Sequence, residues 1–412
     1  MMKNKPYKPW LLVAGYSLLG ISFPAAVTQF TMFVPEMAAA MEVDTRLILL
    51  ADSLRAVCLV AAMFLSGPVY RRLGRWRTIC LGILFQTMPQ FLLPIAVQFR
   101  SIPFFFIFKA MQGCNAVAFP VYLSTITACI PPGSAGLATA VFNGSFTAGA
   151  GIGAWLSGIL APVLGFRWTF YSLGALCVLF ALPALYVTRG IADGRETGRN
   201  GEREKKQEGV YAAIARQPVL WFLILALSAN TWLIQSVTVD MPVYLDFSGV
   251  SKNLAGNLML AVSLVIVTAS VCAGAFSDFC AARSRSPIRI RALILAGGYA
   301  FSAAAAVLFT FISGKEFHLL ALFACLMVFG SAWAAGVFWA LPSMFFSGNR
   351  NLGATAFCSG ASNIVNPVAP FVTGVLLGSA GYWPAGWLVC GIISLVSFAA
   401  GIVISRMKKR PS

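Results

Sequence analysis

The sequence predicts an all-α membrane protein with twelve transmembrane helices, arranged as two pseudo-symmetric six-helix bundles. Three features predict this fold class: apolar runs long enough to cross a bilayer, an internal repeat, and positive charge concentrated on alternate connections between the runs. Together they favour a protein that works within a membrane over a water-soluble one.

The apolar runs are the first of these features. Apolar residues make up 59% of the 412-residue chain and charged residues only 10%, whereas soluble proteins carry about 25% charged residues. The length of each run is near the ~20 residues that a helix needs to span a bilayer. It far exceeds the ~9–11 residues of a transmembrane strand. We predict spans at residues 10–37, 46–69, 78–98, 102–130, 136–163, 167–188, 218–243, 253–277, 288–312, 318–346, 353–378 and 383–405.

The second feature is an internal repeat. Two stretches share the tripeptide Ala-Thr-Ala and three later positions at a constant offset of 216 residues: Ala138, Gly144, Gly158 and Leu160 recur as Ala354, Gly360, Gly374 and Leu376. A weaker repeat pairs residues 67–71 with residues 274–278, and each of these closes an apolar run and opens a basic loop. A membrane protein with an internal sequence duplication is typical of secondary transporters, in which the substrate site lies at the interface of the two repeats.

The third feature is the distribution of positive charge. The formal net charge is +17, but 23 of the 30 Lys and Arg residues fall in segments on one predicted side of the membrane, five on the other and two within spans. This asymmetry follows the positive-inside rule and predicts cytoplasmic termini in the cytoplasmic (inner) membrane. It argues against nucleic acid as a partner and predicts the lipid bilayer as the surroundings.

Residues 189–217 form the only long polar stretch, with mixed charge and several glycines. We predict a cytoplasmic linker there, between an N-terminal bundle at residues 1–188 and a C-terminal bundle at residues 218–412. The first span exceeds the 7–15 apolar residues of a signal peptide and stays a helix in this interpretation. The ten cysteines lack metal-type spacing and are expected to be core residues.

Four motifs resemble those of the major facilitator superfamily, in the order and spacing found in that family. Residues 67–77 are similar to its loop 2–3 motif and residues 274–278 to the weaker copy in loop 8–9. Residues 109–113 resemble its R-x-x-Q-G motif in helix 4. Residues 131–138 and 165–170 resemble the segments that bracket its helix 5. The resemblance covers essentially the whole chain and implies two six-helix halves that expose a central site alternately to each side.

The loop motifs imply a set of gating residues: Gly67, Arg71, Gly74, Arg75, Gly274 and Asp278. Arg71 stands where the family usually has the Asp that locks the inner side, so Asp278 is left for that role, facing the N-terminus of the fifth span, where the helix dipole favours an anion. Lys109 stands where the family has Arg, so this position lacks the planar guanidinium that can form two parallel hydrogen bonds to one carboxylate. The fifth span has the glycines of the drug-antiporter motif without its Gly-Pro step.

Four ionisable residues lie within or at the margin of spans: Asp52, Arg55, Lys109 and Asp240. A charge at mid-bilayer costs about 2.5–3.5 kcal/mol, so such residues face a cavity or a partner. Asp52 and Arg55 share a helix face and can pair, which would leave Lys109 as an uncompensated cation for an anionic substrate. In the alternative, Lys109 pairs with an acid as a protonation switch. Asp52 and Asp240 are candidate ion-coupling residues, although Asp240 is expected to be wetted at the membrane surface.

Uncharged polar and aromatic residues at similar depth complete the candidate substrate site. Besides Lys109 and Arg55 they are Gln29, Gln112, Asn115, Asn230, Gln235, Trp333, Trp339, Asn363 and Asn366. Helices 1, 4, 7 and 10 line the cavity in the superfamily, which favours those residues that lie on them. Each amide can equally bond a neighbouring helix. His318, the only histidine, is expected at the outer surface, which argues against a histidine proton relay.

No phosphate-binding loop, metal cluster or nucleophile elbow stands in the sequence, so we expect no cofactor and no enzyme activity. The resemblance then implies a monomeric secondary transporter. We expect proton-coupled uptake of a small organic anion of the carboxylate type. Proton-coupled efflux of drugs or metabolites is the alternative, and a receptor or scaffold without flux is a third interpretation.

Overall fold

The computed structural model describes residues 9–130, 135–189, 191, 214–312, 316–346, 349–380 and 383–407. All regular secondary structure in these ranges is helical, which confirms the predicted all-α class. Most of the predicted linker, residues 190 and 192–213, lies outside them.

Fifteen α-helices are described. In chain order they are α1 Pro9–Met32, α2 Val34–Met41, α3 Thr45–Gln98, α4 Ile102–Cys114, α5 Phe119–Cys129, α6 Ala135–Arg189, α7 Pro218–Gln235, α8 Met241–Phe247, α9 Lys252–Ala282, α10 Pro287–Phe309, α11 Phe317–Phe338, α12 Leu341–Phe345, α13 Asn349–Ser362, α14 Val365–Ala380 and α15 Trp383–Arg406.

Two of these helices each contain two predicted spans joined at a glycine. In α3 the break is Gly74 (φ 80°, ψ 173°) and in α6 it is Gly165 (φ 68°, ψ 174°). Such backbone angles are accessible essentially only to glycine, because a Cβ would clash. Each glycine therefore ends one span and starts the next without a loop.

The described residues contain nine helices long and apolar enough to cross a membrane. Counting the halves of α3 and α6 separately raises the number to eleven. The remaining predicted span, the eleventh at residues 353–378, consists of α13 and α14, which are separated at Asn363 and Ile364. Pro367 has no N–H for the carbonyl of Asn363, so the helix breaks there. Exposed apolar side chains such as Phe64 (71%) and Phe311 (82%) suit a lipid-facing surface.

Predicted spans 1, 4, 7 and 10 are also discontinuous, each with a proline shortly after its break. Span 1 breaks at Phe33, span 4 passes through a 3-10 turn at Asn115–Ala118, span 7 has a π-helical turn at Ser236–Asp240, and span 10 breaks after Phe338. The prolines are Pro35, Pro120, Pro242 and Pro342. Broken helices within membranes are tolerated where they are buried in protein or line a cavity.

The helices form two compact units. One comprises Met1–Arg195 and Pro242–Ser263, and the other Glu196–Met241 and Leu264–Ser412. An aromatic cluster around Tyr16, Tyr122 and Phe142 lies in the core of the first unit, and Tyr299 and Phe338 lie in the core of the second. Residues 242–263, assigned by sequence to the second bundle, thus pack with the first unit. The division into bundles at residues 189–217 stays a prediction.

Candidate functional site

A buried ion pair on α3 forms the base of the candidate site. Asp52 and Arg55 lie three residues apart and so project from the same face of the helix. The Arg55 Nε donates to Asp52 Oδ1 over 2.7 Å and a terminal nitrogen donates to Oδ2 over 2.8 Å. Their side chains are 0% and 4% exposed. The pairing expected from their spacing is therefore present, in a bidentate form.

Lys109 on α4 adds a second cation to the same carboxylate. Its Nζ lies 2.8 Å from Asp52 Oδ1, and both side chains are fully buried. Close packing of α3 and α4 makes this possible, because a Cβ built on Gly113 would lie only 2.0 Å from the Arg55 carbonyl oxygen. Asp52 thus pairs with Arg55, as its spacing allows, and is at the same time the acid that pairs with Lys109.

Gln112 and Phe30 complete the surroundings of the Lys109 ammonium. Lys109 Nζ donates to Gln112 Oε1 over 3.1 Å and lies 3.4 Å from the centroid of the Phe30 ring, a cation–π arrangement. Phe30 itself packs on Phe105. Within the described part of the chain, the buried Nε2 of Gln112 has no hydrogen-bond partner, so a donor beside the ammonium is available.

The charges in this cluster do not balance. The described contacts place one carboxylate, Asp52, against two cations, Arg55 and Lys109, all within the first unit. Burying an uncompensated charge is costly in a low-dielectric interior. The cluster is therefore suited electrostatically to receive one further negative charge.

Gln29 bonds neighbouring helices. Its Nε2 donates to the Thr169 carbonyl over 2.8 Å, and its Oε1 accepts from Gln90 Nε2 over 3.2 Å. Nearby, Gln86 donates to the Ser22 hydroxyl. Of the two roles open to Gln29, the structure favours helix packing over substrate contact, and we leave it out of the proposed site.

The other candidate amides fall into two groups. Asn115 is 8% exposed at the start of the 3-10 turn that follows the Lys109 helix, within the first unit. In the second unit, Asn230 accepts a hydrogen bond from the Ser331 hydroxyl over 3.0 Å. Gln235, 9% exposed, has no described partner for its Nε2 and precedes the π-helical turn.

The remaining candidates, on spans 10 and 11, make local contacts, and the two asparagines form hydrogen bonds close to the break of span 11. Asn363 Nδ2 donates to the Ser359 carbonyl over 2.7 Å, and Asn366 Nδ2 donates to Asn363 Oδ1 over 2.8 Å. Trp333 contacts Phe276 and Phe329 in tilted ring arrangements. Trp339, predicted as an aromatic wall, is 49% exposed and contacts Phe338 through a T-shaped arrangement. Its exposure argues against a role in an enclosed site.

Asp240 differs from the expectation of a carboxylate wetted at the membrane surface. It is 2% exposed and lies in the π-helical turn Ser236–Asp240. Hydropathy gave its depth along the helix, but the extra residue in a π turn changes which side of the helix a residue faces. A buried carboxylate strengthens its place among the candidate ion-coupling residues, which stays a prediction.

The predicted gating residues lie around the break in the middle of α3 and near the C-terminal end of α9. Gly74 has the positive φ described above, and an alanine Cβ at Gly67 would meet nothing within 4 Å. Arg71 is exposed and Arg75 is half-buried. A Cβ built on Gly274 would lie 3.7 Å from the Gly336 carbonyl oxygen, an ordinary packing distance. Gating by these five residues stays a prediction.

Asp278 on α9 bonds the next helix of its own unit. Its Oδ1 accepts from a terminal nitrogen of Arg291 over 2.7 Å, and the carboxylate is 72% exposed. The role of Asp278 as an inner lock stays a prediction.

Sequence reasoning missed two contributors, Phe30 and Lys252. Phe30 is one of 33 phenylalanines, and no local pattern indicates that its ring covers the Lys109 ammonium. Lys252 is one of the five Lys and Arg residues assigned by sequence to the less basic side of the membrane, and its Nζ lies 2.8 Å from Glu36 Oε1 and 3.3 Å from Asp246 Oδ1. Both contacts depend on helix packing, which the sequence pattern does not specify.

The comparisons with known proteins agree with this architecture. The family model for the Major Facilitator Superfamily matches residues 11–311. Among solved structures, a bacterial homolog of the human lysosomal transporter Spinster, in an inward-facing and unoccupied conformation, is similar with a TM-score of 0.77 and 14% identity over 98% of each chain. A D-xylose-proton symporter is similar with a TM-score of 0.68 and 16% identity over 96% of each chain. No curated protein sequence matches.

Proposed function

The chain belongs to the major facilitator superfamily, and on that premise we propose that it is a secondary transporter for a small organic anion of the carboxylate type, taken up together with protons. Members of this family are transporters rather than enzymes, which agrees with the absence of enzyme motifs in the sequence. Similarity of fold specifies neither a substrate nor a coupling ion. The proposal for both therefore depends on the chemistry around Lys109.

The unbalanced cluster carries the substrate proposal. Arg55 and Lys109 share one carboxylate, Asp52, and all three are buried. A bound carboxylate would supply a negative charge to the two cations, either beside the ionised Asp52 or in its place when Asp52 is protonated, and would gain charge-assisted hydrogen bonds from Lys109. The unpartnered Nε2 of Gln112 lies on a side chain that already contacts Lys109 and would donate to the second carboxylate oxygen. An uncharged sugar would leave the excess charge in place.

Competition for Lys109 offers a route for proton coupling. Asp52 and a substrate carboxylate would both bind the Lys109 ammonium. Protonation of Asp52 would release Lys109 and Arg55 toward the substrate, and loss of that proton on the other side would return Lys109 to Asp52 and expel the anion. One proton would then accompany one carboxylate: the fully enclosed Asp52 would carry the proton, and the substrate would replace Asp52 as the one negative charge facing Arg55 and Lys109. Asp240 is a second candidate for the coupling group.

The charge distribution supports the proposed orientation. Because 23 Lys and Arg residues fall on one predicted side, we place both termini in the cytoplasm and the protein in the inner membrane. The proposed monomeric state rests on the family resemblance and not on the charge distribution. Drug or metabolite efflux is the alternative, motivated by the similarity of span 4 to an R-x-x-Q-G motif and by the glycines of span 5.

Ligand-linked stabilisation of the purified protein tests the substrate class first. We would screen mono- and dicarboxylates, phosphate esters, neutral sugars and lipophilic cations for shifts in thermal unfolding. The proposal expects shifts from carboxylates that disappear in Lys109→Met and persist in Arg46→Met, whose cation is exposed and lies outside the cluster. Shifts confined to lipophilic cations would favour efflux, and shifts confined to sugars would contradict the anion site.

A further inference from the structure

Lys252 connects the start of α9 to the end of the first span. Its ammonium lies 2.8 Å from Glu36 Oε1 on α2 and 3.3 Å from Asp246 Oδ1 on α8, and it donates to the Met32 carbonyl oxygen. It also lies 5.0 Å from the centroid of the Phe33 ring. Only 19% of its side chain is exposed. One side chain thus bonds to two other helical segments and to the last carbonyl of α1.

The turn before Lys252 fixes its approach to Asp246. Gly249 has φ 73°, and the N–H groups of Gly249 and Val250 bond to the carbonyls of Asp246 and Leu245. This is the pattern of a Schellman motif, for which glycine is the preferred residue. The short turn brings Lys252 back beside Asp246 at the end of α8.

A seam of small residues holds the first part of α9 directly against α6. A Cβ built on Gly158 would lie 2.5 Å from the Lys252 carbonyl oxygen, and one on Gly256 would lie 2.7 Å from the Ala154 carbonyl oxygen. Further along, a Cβ on Gly151 would lie 2.6 Å from the Ser263 hydroxyl. Backbones this close require small side chains, so residues 252–263 are closed tightly onto α6.

Three of the Lys252 contacts lie two to six residues along the chain from Phe30, the residue that covers Lys109. Phe30 lies over the Lys109 ammonium at 3.4 Å, while Met32, Phe33 and Glu36 contact Lys252. The helix is interrupted at Phe33, which is itself one of the Lys252 contacts, between the end of α1 and the start of α2. A break of this kind allows the segment to move as a short unit.

We propose that Lys252 is a positioning residue that keeps Phe30 over Lys109 and so closes the anion site on the predicted outer side. This inference rests on the proposed function for the identity of the ligand, but the closure itself does not depend on any ligand. When Lys252 releases Glu36 and Asp246, residues 252–263 separate from α6, the segment around Phe33 moves, and the Phe30 ring leaves the ammonium. An incoming carboxylate then replaces the ring as the partner of Lys109.

Accessibility of Ser263 reports closure without any substrate. Ser263 is 4% exposed and contacts Gly151, so a Ser263→Cys protein should react slowly with fluorescein-5-maleimide, followed at that residue by mass spectrometry. Adding Lys252→Met should accelerate labelling about fivefold or more, because losing a kcal/mol or more shifts a two-state equilibrium by at least that factor. The double variant Glu36→Gln and Asp246→Asn keeps the lysine and should give the same acceleration.

An exposed ion pair supplies the matched control. Arg100 contacts Glu42 over 2.7 Å, but these side chains are 56% and 68% exposed, so Arg100→Met should leave labelling of residue 263 unchanged. Labelling that stays at the parent rate both in Lys252→Met and in the double variant Glu36→Gln and Asp246→Asn would overturn the proposal. Faster labelling in both, and not in Arg100→Met, would support it whether or not any carboxylate binds.

Carboxylate binding then separates this inference from the proposed function. With benzoate as the probe, Lys252→Met should bind more tightly by about the same factor, since a larger fraction of the protein is in the open state. A purely structural loss would weaken binding instead, which would overturn the positioning role. If labelling of residue 263 accelerates in the Lys252 and Glu36/Asp246 variants but no carboxylate of the panel binds the parent protein, the closure stands and the anion proposal fails.

Discussion

The Lys109 ammonium bonds the Asp52 carboxylate over 2.8 Å at a point where neither side chain reaches the surface. Because Arg55 already holds both oxygens of that carboxylate, Lys109 brings a charge that the cluster does not balance. An excess cation inside a membrane protein is expensive to maintain. Its cost is the physical reason to expect a functional partner for it.

The charge balance predicts an order of stability among substitutions in the cluster. Asp52→Asn leaves two buried cations without an acid and should lower the free energy of unfolding by about 3–5 kcal/mol. Lys109→Met leaves the balanced pair of Asp52 and Arg55 and should leave stability unchanged or higher. Thermal unfolding in detergent measures the order, with the surface variant Asp44→Asn as the control. A Lys109→Met protein less stable than Asp52→Asn would contradict the described balance.

The competition for Lys109 predicts how carboxylate binding depends on pH. Each bound anion takes up one proton on Asp52, so affinity should rise as pH falls, by up to about tenfold per pH unit for one linked proton. Asp52→Asn mimics the protonated acid and should bind with little dependence on pH. Calorimetric titrations with a carboxylate that stays ionised over the range would measure this. A pH dependence that survives in Asp52→Asn and vanishes in Asp240→Asn would move the coupling role to Asp240.

The two glycines of the loop 2–3 motif predict opposite responses to alanine. Gly74 has φ 80° and ψ 173°, where an alanine costs about 1–3 kcal/mol. Gly67 has open space where the methyl group would lie and should tolerate the change. Unfolding of Gly74→Ala and Gly67→Ala compares the two directly. Equal stabilities would show that the backbone at Gly74 is not restricted to glycine.

The sequence predicted the helical segments well because bilayer thickness and backbone hydrogen bonding leave few alternatives. The bidentate pair of Asp52 and Arg55 followed from their spacing on one helix face. The contact of Lys109 with Asp52 could not be predicted from spacing along the sequence. Whether Lys109 reaches Asp52 depends on how closely α4 approaches α3, and that distance depends on Gly113 against the Arg55 backbone, a contact with no local signature.

Discontinuities within helices explain most of the remaining differences. Hydropathy gives depth in the membrane, whereas breaks and π turns decide which way a side chain faces. Asp240 was expected at a wet surface and is buried in a π turn. For Gln29 the sequence left substrate contact and helix packing equally open, and the side chain bonds to Thr169 and Gln90. The prolines of the broken spans were visible in the sequence, but the resulting side-chain directions were not.

Uptake into sealed proteoliposomes tests the central claim most directly. The measurement is accumulation of a radiolabelled carboxylate, chosen from the thermal-shift screen, with the outside made acidic. We predict accumulation in the parent protein and in Arg46→Met, and none above protein-free vesicles in Lys109→Met. Accumulation by Lys109→Met at the parent rate, or gradient-driven movement of lipophilic cations alone, would contradict an anion site at this lysine.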